Sequence, residues 1–339
     1  MNAAALKRAW QRWQNLVLRQ ERASTLAVFR ALVAAIVIGS LLSAALAGVI
    51  EVTWLDAAYG GMLSLGSGNW LVSLLGGPTR GVVWGLFGIS LAGAALAMVG
   101  FGGRLPLLVT LQAYLGLTSL NATASGGFDN LITIALWLLF LSDCNATLSL
   151  DAWRAHGTWL SQRRVSAWPR YLLILQLIVM YTATGLQKVG LSWTPMGGYT
   201  ALYYVLHDPT WLRSEAVARS VPLLLLRVGT ALTWHWEQLS CLLLVVFYFR
   251  ATRARPGRLR AAFNRWDLRL PWAAIGLSMH LGILALIDVG PYSFISLAYY
   301  VNLFTPDELE AQLLGRPSAA WRAWRNRRTE GSRARPIAT

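Results

Sequence analysis

Apolar runs of about 20 residues recur along this chain, separated by shorter segments that hold most of its charged residues. A helix needs about 20 mainly apolar residues to cross the hydrocarbon core of a bilayer. The 339 residues are 55% hydrophobic and only 13% charged, which is more apolar surface than soluble domains of this size bury. The sequence therefore predicts an all-α fold, a polytopic transmembrane helical bundle.

Eight segments are candidate membrane spans. They are 29–50, 81–99, 105–120, 131–149, 171–189, 221–249, 271–289 and 291–304. The first is too long for the core of a signal peptide and is expected to remain as a span. The last is short, and Gly290 and Pro291 break the run before it, so a tilted or re-entrant segment is the alternative to a full span there.

The basic residues predict the orientation of the bundle, because Lys and Arg concentrate in cytoplasmic loops. Most of the 30 basic residues fall on one side if both termini lie in the cytoplasm. This arrangement gives a basic N-terminus (1–25), a transmembrane domain (26–306) and a basic tail (307–339). The net charge of +15 is thereby assigned to topology in an inner or plasma membrane, and nucleic-acid binding is not expected.

Lys188, near the outer end of the fifth predicted span, is open to two interpretations. Its amine could reach the outer headgroups along its aliphatic stem. Alternatively, a poorly hydrated cavity would favour the neutral amine, which could then act as a base. Its position in the sequence does not choose between them.

Glu237 lies near the middle of the sixth predicted span and requires a partner, because an unpaired charge there is costly. Arg227 is ten residues away on the same helix, so His280 or a polar group on another span is the more plausible partner. A structural ion pair and a catalytic role remain alternatives. His235 and His280 are too isolated to predict a metal site, and Cys144 and Cys241 have no metal-binding spacing.

Several segments, taken in order, resemble the horizontally transferred transmembrane (HTTM) domain of vitamin K-dependent γ-glutamyl carboxylase and its bacterial relatives. They are Leu26-Ala-Val-Phe-Arg30, Phe128-Asp129, Ser149-Leu150-Asp151, the stretch from Leu175 through Tyr181, Gly185 and Lys188 to Trp193 and Gly197, Glu237, and Met279-His280. The resemblance covers residues 23–306, and the stretch from Tyr181 to Gly198 is its most specific part.

The resemblance implies a lysine base. Lys188 matches the second of two adjacent lysines in the carboxylase, the one that is the base engaged with reduced vitamin K, and Gln187 stands where the first would be. In that chemistry, oxygenation of the hydroquinone creates a strong base, which removes a glutamate γ-proton before CO2 is captured. The chain has no counterpart of the large extramembrane region that engages the protein substrate, so a quinone- or lipid-linked reaction is expected in place of protein carboxylation.

The resulting hypothesis is a membrane enzyme with an outward-facing cavity built from the fifth to seventh spans. Lys188 would be the base, with Glu237 and His280 tuning or orienting it. A reduced, vitamin K-like quinone is the expected cofactor, membrane lipids are the expected partners, and no metal is predicted. The predicted quinone- or lipid-binding residues are Tyr181, Gln187, Trp193 and His235. A non-catalytic protein that binds lipid or assembles with a partner is the alternative, and a transporter is third.

Overall fold

The chain is mostly helical over the residues described by the computed structural model, which are 18–313 together with 7, 10, 11, 14 and 15. The helices are α1 (Ser24–Leu46), α2 (Ile50–Trp54), α3 (Trp70–Leu74), α4 (Arg80–Val99), α5 (Leu105–Thr118), α6 (Gly127–Leu141), α7 (Leu150–His156), α8 (Trp168–Gln187), α9 (Ala201–Leu206), α10 (Glu215–Ser220), α11 (Leu223–Leu239), α12 (Leu243–Ala251), α13 (Arg258–Arg265), α14 (Arg269–Leu286), α15 (Tyr292–Tyr300) and α16 (Pro306–Leu313). Two short strands, β1 (Gln20–Arg22) and β2 (Arg164–Ser166), form an antiparallel pair.

Four of these helices, α1, α4, α8 and α14, are long and apolar enough to cross a membrane, and α5 and α6 are shorter apolar helices. The helical architecture predicted from the apolar runs is thus present. α1 lies at the centre of one half of the bundle, where it packs against α4, α6 and α15. α8 and α11 pack against each other in the other half and carry the residues discussed below.

Three predicted segments differ from the helices observed. α6 begins earlier than predicted, because the Asp129 side chain accepts a hydrogen bond from the Gly126 N–H at 2.8 Å and caps it, and it already ends at Leu141. The segment 221–249 is interrupted by a 3-10 turn at Ser240–Leu242. The segment 291–304 contains the nine-residue helix α15, about 14 Å long at 1.5 Å per residue, followed by a 3-10 turn at Val301–Leu303.

The interruption at Ser240 is explained by two hydrogen bonds of the Ser240 side chain. Its hydroxyl donates to the Trp236 carbonyl at 2.9 Å and accepts from the Trp272 indole N–H at 3.1 Å. A serine bonded to a carbonyl one turn earlier offers the backbone an alternative to the regular helical ladder. Because the second bond comes from α14, this break was not visible in the local sequence.

Segments predicted to share one side of the membrane do meet at one end of the bundle. The strand pair joins residues 20–22 to 164–166, and Arg22 forms ion pairs with Asp307 and Glu310. At the other end, the Asn121 amide donates to the Thr53 carbonyl at 3.0 Å, and the Asp288 N–H donates to the Trp211 carbonyl at 2.8 Å. The alternation of loops inferred from the basic residues is therefore reproduced by contacts between loops far apart in sequence.

A carboxylate-arginine network ties α16 to the basic end of the bundle. Glu308 accepts from Arg250 at 2.6 Å and from Arg269 at 2.9 and 3.0 Å, and it also caps α16 by accepting from the Thr305 N–H at 2.9 Å. Arg269 is 2% exposed and also contacts Asp267. Burial alone would raise the pKa of Glu308, but the Arg269 hydrogen bonds, the Thr305 N–H and the two arginine charges lower it to about 2.

We expect Glu308→Gln to lower the free energy of unfolding at neutral pH by about 2 kcal/mol, because a buried arginine loses a charged partner. The folded-state pKa of Glu308 is below its usual value, so this stabilisation is complete above about pH 4.5 and is lost as pH falls toward 2. Thermal melts of the detergent-solubilised protein between pH 7 and pH 3 should show the difference between wild type and variant shrinking with acid. Asp307→Asn, at a half-exposed carboxylate of the same helix, is the control, and an equal effect of both substitutions would contradict the assignment.

Candidate functional site

Lys188 and Glu237, predicted separately from the cost of burying each charge, form an ion pair. Lys188 follows the last residue of α8, and its Nζ donates to Oε2 of Glu237 on α11. The Glu237 side chain is only 5% exposed, whereas that of Lys188 is 22% exposed. The ring centroid of Trp193 lies 4.9 Å from the same amine, in a cation-π contact. The cation therefore has a carboxylate on one side and an aromatic face on another.

Gly185 allows the two helices to approach closely enough for this pair. A Cβ at this position would lie 2.8 Å from the Glu237 Cβ and 2.7 Å from the Gln238 nitrogen. Gly185 precedes Lys188 by three residues, so it lies on nearly the same face of α8 one turn earlier. A small residue at the contact thus places the Glu237 backbone beside the end of α8.

The chain after Lys188 leaves the helix and runs back along α11. The Lys188 carbonyl accepts from the Trp234 indole at 3.2 Å, the Tyr199 hydroxyl contacts His235 Nε2 at 3.1 Å, and the Gly198 carbonyl accepts from Arg227 Nε at 2.6 Å. The ten residues from Arg227 to Glu237 span about 15 Å of helix. We call residues 188–200 the return segment.

The return segment places backbone that is not α-helical, with 3-10 turns at Leu191–Trp193 and Pro195–Gly197, beside the middle of α11. Such backbone is tolerated at membrane depth only where protein or water satisfies its polar groups. One flank of the segment is covered by α11 through the three contacts above, and the other is open, with Val189, Leu191 and Met196 all exposed. The ion pair is therefore not fully sealed inside the bundle, because the Lys188 side chain is 22% exposed.

Of the two partners expected for Glu237, a polar group on another span is found, because Lys188 ends the fifth predicted span, and His280 is not the partner. His280 is fully buried, with Nε2 2.6 Å from the Tyr181 hydroxyl and Nδ1 3.3 Å from the Ser293 hydroxyl. The Tyr181 hydroxyl also contacts that of Tyr300 at 3.1 Å. Among the described residues, no hydrogen bond or ion pair joins Tyr181 or His280 to Lys188 or Glu237. These side chains form a separate buried polar cluster beneath the pair.

The other predicted binding residues differ in whether they contact the ion pair. Trp193 contacts the Lys188 amine, whereas Gln187 is exposed and His235 is exposed beside Tyr199. Two pockets, of about 280 and 360 Å³, lie elsewhere on the molecule, and neither is lined by Lys188. Within the described part of the chain, no three His, Cys, Asp or Glu side chains are grouped to hold a metal ion.

Arg30 is a buried charge that the sequence analysis did not single out. It lies in α1, is 1% exposed, and donates to the carbonyls of Cys144 and Leu148 and to the Asn145 side chain at 2.7 to 3.0 Å. An arginine in an apolar run close to the start of a span is the signal that could have identified it. Its hydrogen bonds hold the turn between α6 and α7 against α1.

Helices of membrane-spanning length, together with an ion pair between the end of α8 and α11, define a multi-span helical membrane protein with a polar site in its bundle. The HTTM domain model matches residues 18–264, which is most of the chain and includes both Lys188 and Glu237. The chain therefore belongs to the HTTM family, and the predicted resemblance is confirmed, since this domain occurs in vitamin K-dependent γ-glutamyl carboxylase. Searches among curated proteins and among solved structures found no match.

We expect Gly185→Ala to push α8 away from α11 and to disrupt the Lys188–Glu237 pair. Overpacking of this kind costs about 1–3 kcal/mol, so the melting temperature of the purified protein should fall by several degrees. Gly282→Ala is the matched control, because a Cβ there has no neighbour within 4 Å on a helix of similar length. Equal melting temperatures for the two variants would show that the close approach at Gly185 has no energetic importance.

Proposed function

We propose that the chain is a quinol- or lipid-linked membrane enzyme in which Lys188 is the base and Glu237 controls its protonation. The observation that carries the proposal is the meeting of an amine and a buried carboxylate beside an open segment that is not α-helical. An exposed lysine would remain an ordinary ammonium ion. A lysine paired with a carboxylate inside an apolar bundle can also exist as a neutral amine beside a carboxylic acid.

The pair can hold its shared proton in two ways. Either the ammonium faces a carboxylate, or the neutral amine faces a carboxylic acid, and the two forms differ by one transfer between Nζ and Oε2. Water strongly favours the charged form, and burial removes part of that preference. In the neutral form, Lys188 Nζ accepts the proton of a substrate hydroxyl and becomes an ammonium ion beside the new oxyanion, with total charge conserved.

The residues around the pair fit a reduced quinone. A quinol combines an apolar aromatic ring with an acidic hydroxyl, and the open flank combines the exposed apolar side chains of Val189, Leu191 and Met196 with the amine. Trp193 would contact the quinol ring, and the Lys188 amine would accept the proton of the quinol hydroxyl. When bound, a reduced quinone supplies the acidic proton and the two-electron chemistry that the carboxylase relatives use. Tyr181 and His280, buried below, would support the helices that hold the pair.

We expect Lys188→Ala to lower oxygen-dependent quinol epoxidation by about 10²-fold or more, as removal of a positioned general base does. The measurement is epoxide formation by the purified protein in nanodiscs supplied with reduced vitamin K or a reduced bacterial quinone, with and without CO2. Glu237→Gln should also reduce the rate and shift its pH profile, because a neutral amide cannot exchange a proton with the amine.

Lys7→Ala is the control for these measurements, since Lys7 is the other lysine of the chain and lies near the N-terminus. It should leave the rate unchanged. Equal epoxidation by wild type and Lys188→Ala would end the catalytic assignment of the lysine. A folded wild-type protein without activity on any quinol would favour the non-catalytic alternative, in which the same flank only binds lipid.

We propose further that the eight apolar segments of the chain lie in a plasma or inner membrane and that both termini lie in the cytoplasm. The short helix α15 would be embedded between the other helices. The basic residues support this orientation. The meeting of residues 20–22, 164–166 and 307–310 at one end of the bundle supports it as well.

Single cysteines should report this orientation in a Cys144→Ala, Cys241→Ala background. A membrane-impermeant maleimide should label Thr210→Cys in intact cells and Arg163→Cys only after the membrane is opened, because these exposed loop residues lie at opposite ends of the bundle. Labelling of Arg163→Cys in intact cells would reverse the proposed orientation.

A further inference from the structure

A polar pocket of about 280 Å³ opens at the basic end of the bundle, far from the Lys188–Glu237 pair. It lies where the turn between α4 and α5 meets the turn between α6 and α7. Its charged and polar lining residues are Arg104, Asp143, Asn145, Asp151, His156 and Arg163. Neither the ion pair nor the buried tyrosine-histidine cluster uses any of them. We call this the basic-end pocket.

The acidic groups of the basic-end pocket are already engaged. Asp143 accepts from Arg104. Asp151 accepts from the N–H groups of Gly102 and Gly103 at 3.1 and 2.7 Å and from the Asn145 amide at 3.1 Å. Asp151 therefore has few lone pairs left for a further ligand, and the charge of Asp143 is paired with that of Arg104.

The groups without partners are donors. Within the described part of the chain, the guanidinium of Arg163 and the ring of His156 have no hydrogen-bond or ionic partner, and Arg104 uses one nitrogen for Asp143. Arg30 lies directly behind the wall formed by Cys144 and Asn145, and its bonds reach only neutral acceptors. A pocket whose uncommitted groups are a guanidinium and an imidazole, both hydrogen-bond donors, can hold an anion with several acceptor oxygens.

The surroundings of the basic-end pocket place it at the level of lipid headgroups. Asp151 and His156 of α7 face the pocket, while Trp153 of the same helix is about half exposed and stacks on Trp159 with ring centroids 6.1 Å apart. Exposed tryptophans are favoured at the membrane-water interface. The pocket and the two indole rings thus lie together at the basic end of the bundle.

We infer that the basic-end pocket binds a phosphate group, with Arg163 and Arg104 as its charged donors and His156 as a further donor. The phosphate can belong to an anionic phospholipid of the adjacent leaflet or to a free phosphate ester. Both present the same anionic oxygens to the pocket. The paired tryptophans beside it would contact the glycerol and upper acyl region of a lipid but would not contribute to binding of a free ester.

The test measures the melting temperature of the purified full-length protein in detergent at constant ionic strength. Three probes are titrated separately: short-chain phosphatidylglycerol, short-chain phosphatidylcholine and glycerol 3-phosphate. A ligand that binds the folded state raises the melting temperature with its concentration. A shift with phosphatidylglycerol alone identifies a lipid headgroup, and an equal shift with glycerol 3-phosphate identifies a free phosphate ester.

Arg163→Gln and Arg164→Gln form a matched pair of variants. Both remove one exposed charge from neighbouring residues, but only Arg163 lines the pocket. We expect Arg163→Gln to weaken the apparent affinity for the active probe about tenfold, as loss of one charged hydrogen bond does. Arg164→Gln should leave it close to wild type. Equal weakening by both substitutions would indicate surface charge without a site, and no shift with any probe would equally overturn the inference.

Discussion

Two opposite charges placed inside an apolar bundle have to meet, and much of the local structure around Lys188 and Glu237 follows from that requirement. Removing a charge from water costs several kcal/mol, and only a partner with good geometry recovers it. The requirement places the end of α8 beside the last turn of α11, and it accounts for a glycine at position 185, where any side chain would collide with Glu237. It also accounts for the polar contacts that α11 makes with the return segment, because backbone that leaves a helix at this depth needs new partners.

The buried arginines at the basic end of the bundle also need partners for their charge, and they find them in neutral acceptors or in carboxylates. Arg30 is surrounded by neutral carbonyl and amide acceptors, whereas Arg269 is held by two carboxylates. The planar guanidinium presents five donors and stays charged, so it suits permanent structural links between segments. Lysine has a smaller headgroup that exchanges its proton more readily. The use of a lysine at the single buried pair between α8 and α11, among so many arginines elsewhere, favours a chemical role for that position over a purely structural one.

The sequence predicted the helices and their grouping better than their ends. Runs of apolar residues identify spans because hydrophobic length is a local property, whereas the assignment of loops to one side of the membrane from the basic residues stays a prediction. The break at Ser240 was missed because it depends on Trp272, which is distant in sequence. Lys188 and Glu237 were each identified from the cost of burial, but their pairing was not, since it depends on the relative heights of α8 and α11. Searching for opposite charges in consecutive spans would have paired them, and the same search would have left His280 aside.

A buried ion pair that only fixes the register of two helices has no need of access from outside. Such a pair is most stable when it is sealed, because each water molecule that reaches it weakens the attraction between the charges. The pair described here is sealed on the Glu237 side and open on the Lys188 side, where the chain leaves α8 and exposes Val189 and Leu191. The protein ends α8 at the lysine and places the ring of Trp193 against its amine, which remains partly exposed. Partial exposure of this kind is what the proposed proton transfer from a substrate hydroxyl requires.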